Sequence, residues 1–237
     1  MKTDILIVGG SAAGLAGAIT ARRFYPELKI TVVRREDKAL VPCGIPYIFG
    51  TLGSVDKNVI PDKVLEKNNL DLLVDQVISI NKAARIARTA GGESIEYEKM
   101  ILATGSEPLA PPLEGVEFDN VFTARKDPKY LQKLAEALQK ARNVVVIGGG
   151  FIGLEFADEL SKLDYLDSVS LVEMLPHCLL LACDSEICVK VEREIENAGV
   201  SILSDRKAKA ILGEGKAEFV EMENGQQLKA DLVLLGI

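Results

Sequence analysis

The sequence predicts an α/β chain of two tandem βαβ-based domains, each with a central parallel sheet and antiparallel hairpin insertions. Three observations predict it. An apolar run, a glycine-rich turn and a helical stretch occur twice, at Asp4–Gly17 and Asn143–Leu160. Each copy is followed by a second apolar run, Lys29–Val33 and Ser168–Val172. A strand, helix and parallel strand within about 30 residues make a βαβ unit, whose crossover is right-handed. The third observation is size: 237 residues, 48% hydrophobic and 27% charged, suffice for two globular domains that each bury a core.

The elements follow in order. Ile5–Val8 is a short buried strand that Gly9 and Gly10 end. Between the repeats, Pro61–Asn68 reads as a short polar helix, Asp71–Ile80 as a strand, and Ala84–Thr89 with Ser94–Glu96 as a hairpin around Gly91-Gly92. Lys99–Ala103 reads as a further buried strand ended by Thr104-Gly105. The proline-rich stretch Glu107–Pro112 resists pairing and reads as an interdomain connector. Apolar residues at 131, 134, 135 and 138 predict a helix over Lys129–Ala141. A helix at Ser185–Asn197, a strand at Val200–Ser204, a hairpin turning at Glu223-Asn224-Gly225 and a strand in Ala230–Ile237 complete the chain.

Charge and cysteine usage exclude several classes. The net charge is −7, and the basic clusters are no longer than Arg22-Arg23 and Arg34-Arg35, which argues against nucleic acid as a partner. No apolar run approaches the roughly 20 residues of a membrane helix, and Gly9-Gly10 interrupts the first one too early for a signal peptide. The expectation is a cytoplasmic protein without a membrane partner. Four cysteines without close pairing do not make a disulfide framework.

The two glycine turns carry the chemistry. A pyrophosphate needs backbone N–H donors at a helix N-terminus and a chain close enough to reach. The first glycine makes the turn, the second admits the phosphates, and the third lets the helix pack on the strand. The second copy has Gly148, Gly150 and Gly153, and Glu173 stands about 20 residues on, placed to accept from ribose hydroxyls. Met174 and Leu175 follow it without an arginine for a 2′-phosphate, which favours NADH over NADPH. The two domains are therefore expected to be Rossmann-like. In the first copy Gly9 and Gly14 hold the outer positions and Ser11 the middle one, where its hydroxyl could donate to a phosphate. The acid there is displaced. Either Glu36 reaches back to the ribose, or Arg34 and Arg35 approach the ligand, or the two arginines belong to a solvated turn.

Cys43 lies in Leu40-Val41-Pro42-Cys43-Gly44-Ile45-Pro46-Tyr47, where a short apolar helix can begin. A thiol at a helix N-terminus is activated by the aligned N–H groups and can attack a disulfide or reduce a peroxide. The alternative is an inert buried cysteine. Cys178, Cys183 and Cys188, spaced by five beside His177, read as core packing and not as a metal site. No Ser–His–Asp or Cys–His arrangement suggests hydrolysis.

These two fingerprints, with Tyr97-Glu98-Lys99-Met100-Ile101-Leu102-Ala103-Thr104-Gly105-Ser106-Glu107-Pro108 between them, resemble the pyridine nucleotide-disulfide oxidoreductase family. The Cys-Gly-Ile-Pro-Tyr segment resembles its single-cysteine branch, the coenzyme A-disulfide reductases, CoA-dependent NAD(P)H sulfur oxidoreductases and NADH oxidases. The second cysteine of glutathione-reductase relatives would stand at 48, which is Ile48. The resemblance implies an FAD-binding domain over 1–110, incomplete, and an NAD(P)H-binding domain over 111–237. It implies that Gly9, Gly10, Ser11, Ala12, Ala13, Gly14, Arg34, Arg35, Pro42, Cys43, Val77, Ala103, Thr104 and Gly105 meet FAD. It places Gly148, Gly150, Phe151, Ile152, Gly153, Glu155, Glu173 and Gly236 at the NADH side. Phe151 there shields the flavin, Glu155 lies one turn on, and Arg22 and Arg23 fall where CoA phosphates are met.

What the resemblance implies for function is an FAD-dependent NAD(P)H oxidoreductase reducing CoA-disulfide, polysulfide or a similar disulfide through Cys43. The alternatives are an NADH oxidase or peroxidase working through a cysteine sulfenic acid, and a catalytically incomplete nucleotide-binding fragment. Family members continue beyond Gly236 into more of the FAD domain and a dimerisation domain. The chain therefore reads as C-terminally truncated, with a homodimer expected of its full-length parent.

Overall fold

A computed structural model describes all 237 residues of the chain. They divide into two compact units, Met1–Cys43 with Asn58–Ser106, and Gly44–Lys57 with Glu107–Ile237.

The first unit is a six-stranded sheet with helices. Its elements are β1 (Lys2–Val8), α1 (Ala12–Phe24), β2 (Ile30–Arg34), β3 (Ala39–Leu40), β4 (Val59–Ile60), α2 (Lys63–Lys67), β5 (Asp71–Val74), β6 (Val77–Asn81), β7 (Ile86–Thr89) and β8 (Ser94–Leu102). The strand order is β5-β2-β1-β8-β7-β6, parallel from β5 to β8 and antiparallel beyond, while β3 and β4 form a separate antiparallel pair. Both faces of β1 are buried, which is why Ile5–Val8 is uninterruptedly apolar. Ile5 and Ile7 pack with Leu15, Ala18 and Ala21 of α1, whereas Leu6 and Val8 pack with Ala87, Ile95 and Tyr97.

Two expectations change here. The strand expected over Asp71–Ile80 is two strands, β5 at the parallel edge and β6 at the antiparallel one. The runs Ser94–Glu96 and Lys99–Ala103 are one strand, β8, pairing antiparallel with β7 through its first residues and parallel with β1 along most of its length.

The second unit contains 3₁₀ turns in the Gly44–Lys57 segment. It continues with β9 (Val121–Thr123), α3 (Pro128–Leu138), β10 (Asn143–Ile147), α4 (Phe151–Ser161), β11 (Ser168–Val172), α5 (Ser185–Asn197), β12 (Val200–Leu203), β13 (Ala208–Leu212), β14 (Phe219–Met222), β15 (Gln227–Lys229) and β16 (Leu232–Leu235). A parallel five-stranded sheet, β12-β11-β10-β16-β9, packs its Val145, Ile147, Val233 and Leu235 against Ile211, Val220 and Met222 of the antiparallel sheet β13-β14-β15. The helix expected over Lys129–Ala141 starts at Pro128, because the Asp127 carboxylate caps it by accepting from the N–H groups of Lys129 and Tyr130. The last strand is paired on both sides, with β10 and β9. Both units are Rossmann-like, as the repeat implies. No helix is long and apolar enough to cross a membrane.

Candidate functional site: two glycine turns and an exposed thiol

In the first unit, β1 ends at Val8 and α1 opens at Ala12 with no side-chain cap from Ser11. Gly9 has φ +111°, and a Cβ there would lie 2.0 Å from the Ala103 carbonyl oxygen; one on Gly14 would lie 1.8 Å from that of Gly9. The outer glycines are thus required by the backbone itself. The opening amides of α1, over Ser11, Ala12, Ala13 and Gly14, keep the donor capacity an anion needs. The Ser11 hydroxyl donates to the Leu40 carbonyl at 3.2 Å, so its proton serves the protein and not a phosphate.

Arg34 differs most from expectation. It ends β2 at 3% exposure, which removes the solvated-turn reading for this residue. Each of its guanidinium nitrogens is engaged: with both oxygens of Asp62 at 2.8 and 3.1 Å, and with the carbonyls of Glu36 and Asp37. Gly10 makes room for it, since a Cβ there would fall 2.9 Å from that of Arg34. Arg35 is half exposed and its Nε donates to Glu36 Oε1 at 2.7 Å. Val77 starts β6 at a register irregularity against β7, and Ala103, Thr104 and Gly105 follow β8, with Gly105 at φ +72°. Arg22 donates to the carbonyls of Pro26, Leu28, Asn68 and Asn69, so a phosphate at this place would compete with four backbone acceptors. Arg23 sits beside it in the last turn of α1.

In the second unit the turn repeats. Gly148 has φ +108°, with a Cβ there 2.9 Å from the Gly236 carbonyl oxygen, and one on Gly153 would lie 1.8 Å from that of Gly148. Gly150, at the open N-cap of α4, has nothing nearer to its Cβ direction than the Gly236 oxygen at 4.0 Å. Glu173, just past β11, is 8% exposed; its Oε2 accepts from Gly149 N–H and its Oε1 from Leu175 N–H at 2.7 Å. A carboxylate keeps further lone pairs for hydroxyl donors. Gly148, Gly149, Gly150 and Glu173 line a cleft of about 530 Å³, whose walls include Phe151, Met174, His177, Leu179–Ala182, Arg206 and Lys207. Phe151 and Ile152 expose their side chains on the first turn of α4. One turn on, burial pushes the Glu155 carboxyl above its ordinary value.

Sequence reasoning missed Arg206 and Lys207. The turn before β13 hangs on the Glu173 segment, Asp205 N–H donating to Leu175 O at 2.8 Å and Arg206 N–H to Glu173 O at 2.9 Å. This brings two cations to the cleft although no arginine follows Glu173 in sequence. Only backbone bonds join the two segments, so no residue pattern announces them.

Cys43 is exposed and lies in the 3₁₀ turn Pro42–Gly44, followed by a second at Pro46–Ile48. The short helix expected here does not form: Pro42 and Pro46 lack N–H donors and break the segment into single turns. A helix dipole is thus not available to the thiol. What fixes the strand before it is a set of bonds to the first turn and to Asn58: Ser11 to the Leu40 carbonyl, Asn58 Nδ2 to the Val41 carbonyl at 3.0 Å, and Val41 N–H to the Asn58 carbonyl at 3.0 Å. Cys178 and Cys188 are fully buried and Cys183 is partly exposed. Burial, helped by the Glu192 and Glu173 charges, pushes the Cys178 thiol up to about 12. No group of three or more His, Cys, Asp or Glu side chains is arranged to hold a metal ion.

The geometry matches known proteins throughout. The chain is 32% identical over 97% of its length to an NADH oxidase of Methanocaldococcus jannaschii, and 31% identical over 99% to an NAD(P)H coenzyme A polysulfide/persulfide reductase of Pyrococcus horikoshii. It spans about half the length of these relatives, 53% in each case. A solved NAD-dependent persulfide reductase from A. fulgidus superposes on the whole chain with a TM-score of 0.89 at 30% identity, the chain covering 46% of it. The family model described as pyridine nucleotide-disulphide oxidoreductase matches residues 3–237, and the chain belongs to that family.

Proposed function

We propose that this chain is the nucleotide-binding part of an FAD-dependent NAD(P)H oxidoreductase that reduces a CoA-disulfide, a polysulfide or a similar small disulfide through Cys43. The observation that carries the reading is the anchoring of the Cys43 strand to the first glycine turn by the Ser11 hydroxyl. It ties the short strand before the exposed thiol to the turn whose open amides suit a diphosphate. The residues present fit FAD at that turn, through the uncapped N-terminus of α1 and the Gly9–Gly14 cradle. A carboxylate for its ribose is not at the end of β2, where Arg34 stands.

Bound FAD supplies a carrier that takes a hydride and passes on an electron pair. Everything else falls to the chain. The α4 N-terminus and Glu173 would hold the dinucleotide, the acid favouring NADH, while Arg206 and Lys207 give the cleft two cations that a 2′-phosphate could meet. Phe151 would shield the hydride-accepting ring, and Cys43 would attack the acceptor sulfur. The reaction balances as NADH, one proton and RS–SR giving NAD⁺ and two RSH. Turnover by a homodimeric, cytoplasmic parent is part of the same proposal.

The test is the absorbance of purified chain supplied with FAD, before and after NADH, with CoA disulfide, polysulfide, oxygen and peroxide as acceptors. Cys43→Ser should retain flavin binding and lose disulfide reduction; retained reduction removes the thiol from the reaction. Preference for oxygen or peroxide would favour the oxidase reading, which the name of the Methanocaldococcus relative supports. Absence of any flavin reduction would leave a nucleotide-binding fragment.

A further inference from the structure

The proposed reaction makes no use of a buried carboxylate in the second unit. Glu159, on the third turn of α4, is 1% exposed. Its Oε2 accepts the Thr51 N–H at 2.7 Å, and its Oε1 accepts the Thr51 hydroxyl at 2.9 Å and the Lys162 ammonium at 2.6 Å. Burial works against this charge, but the bonds from Lys162 and Thr51 outweigh it and hold the carboxyl below its ordinary value. Gly50 lies so close that a Cβ there would fall 2.3 Å from the Glu159 carbonyl oxygen and 2.6 Å from Oε2. Around this clamp the contact is apolar. Ile45, Ile48 and Phe49 are buried, and the Phe49 ring stands 5.7 Å from that of Phe156 on α4.

The two kinds of contact do different work. Apolar burial is non-directional and gives the segment its adhesion to α4. Directional bonds to one fixed carboxylate set where along the helix the segment sits. Adhesion alone does not call for a buried charge, which is costly to desolvate. The clamped segment starts at Gly44, the residue bonded to Cys43.

We propose that Glu159 is a positioning residue for the redox thiol: by gripping Thr51 it fixes the limb leading away from Cys43 on the helix that carries Phe151 and Glu155. The proposal rests on Cys43 as the reacting thiol. A limb freed from its clamp samples more orientations, so the already exposed Cys43 can meet a disulfide in geometries the clamp excludes.

The test is the rate at which each cysteine of the full chain reacts with an aryl disulfide reagent, resolved by mass spectrometry. The Cys43 sulfur attacks one reagent sulfur, the S–S bond breaks, an aryl thiolate leaves and the thiol proton passes to solvent. Glu159→Gln sets an amide NH₂ against the Thr51 donors, Thr51→Val removes the hydroxyl bond alone, and Thr51→Ser keeps both bonds. The Cys43 rate should rise about tenfold in Glu159→Gln and about threefold in Thr51→Val, and stay near wild type in Thr51→Ser. Cys183 should keep its rate, and Cys178 and Cys188 should stay unmodified. A Cys43 rate within about twofold of wild type in Glu159→Gln overturns the proposal. So does an increase shared by Cys178 and Cys188, which would mean general loosening. If the rates follow the pattern but Cys43→Ser still reduces disulfides with NADH, the redox-thiol reading is what has failed, and the proposal falls with it.

Discussion

The two glycine turns share a backbone plan and differ in the side chain that stands beside it. In each, the first glycine donates its N–H to the last valine of the neighbouring run, Gly9 to Val33 and Gly148 to Val172, both at 2.8 Å. In each, the residue just after the next strand over donates back, Ala103 to Val8 and Gly236 to Ile147, again at 2.8 Å. This register makes Arg34 the counterpart of Glu173 and Ser11 that of Gly150. Arg34 is buried and turned on Asp62, whereas Glu173 is buried and turned on the amides of Gly149 and Leu175. The turn itself is therefore a property of glycines and backbone, which the fold repeats. The side chain proposed to meet the ribose is a single residue, which it does not.

Where the plan is shared, damage should be equal. Gly14→Ala and Gly153→Ala each drive a Cβ to 1.8 Å from a carbonyl oxygen of the first glycine. Each should cost about 3 kcal/mol or more in urea unfolding of the chain, since helix and strand must part to make room. A loss below about 1 kcal/mol in either would break the equivalence. Gly150→Ala is the contrast, with φ −74° and open space around it. Stability should hold within about 0.5 kcal/mol while NADH binding weakens roughly tenfold, because a methyl group then stands where the pyrophosphate approaches.

Where the side chains differ, the effects should separate. Glu173→Ala should weaken NADH binding by about 1–3 kcal/mol, a charged acceptor being lost from the ribose, with FAD binding unchanged. A fluorescence titration with NADH checks it, and an unaltered curve would take Glu173 out of the site. Ser11→Ala should cost about 1 kcal/mol of stability and increase hydrogen exchange around Leu40, since it removes the bond to that carbonyl. Unchanged exchange there would mean that the pairing of β3 with β4 alone holds the strand before Cys43.

The sequence made the shared plan legible and the differing side chains less so. Strand β11 and helix α5 fall on the residues expected of them. The outer glycines are legible too: each is required by its own neighbours. Arg34 is not, since a charge after Val33 reads as the end of a buried strand, and its partner Asp62 lies 28 residues away. Arg206 and Lys207 reach the cleft through backbone bonds from a distant turn, which leave no trace in residue type. The helix expected at Cys43 fails on local chemistry. Its apolar residues invite a helix, but the two prolines remove the donors it needs.

The last contrast concerns how each unit holds the start of the strand that leads into its glycine turn. In the first unit the Asp4 Oδ2 accepts one amide, that of Lys29, at 2.6 Å. In the second, the Asp231 Oδ2 accepts from the backbone N–H groups of Arg142 and Asn143 and from the Asn143 side chain. Burial raises the Asp231 carboxyl, but these bonds outweigh it and leave it below its ordinary value. A carboxyl depressed in the folded state adds stability that is present above its unfolded value of about 3.9 and is lost as pH falls through the folded one. Asp231→Asn should then cost about 1 kcal/mol at neutral pH, discounted for its partial exposure, and less in acid, as pH falls through the depressed folded value. Urea unfolding at neutral and at acid pH measures the difference. A gap of the same size at both would mean that Asp231 acts through shape and hydrogen-bond count, with its charge contributing nothing to how the second unit holds β10.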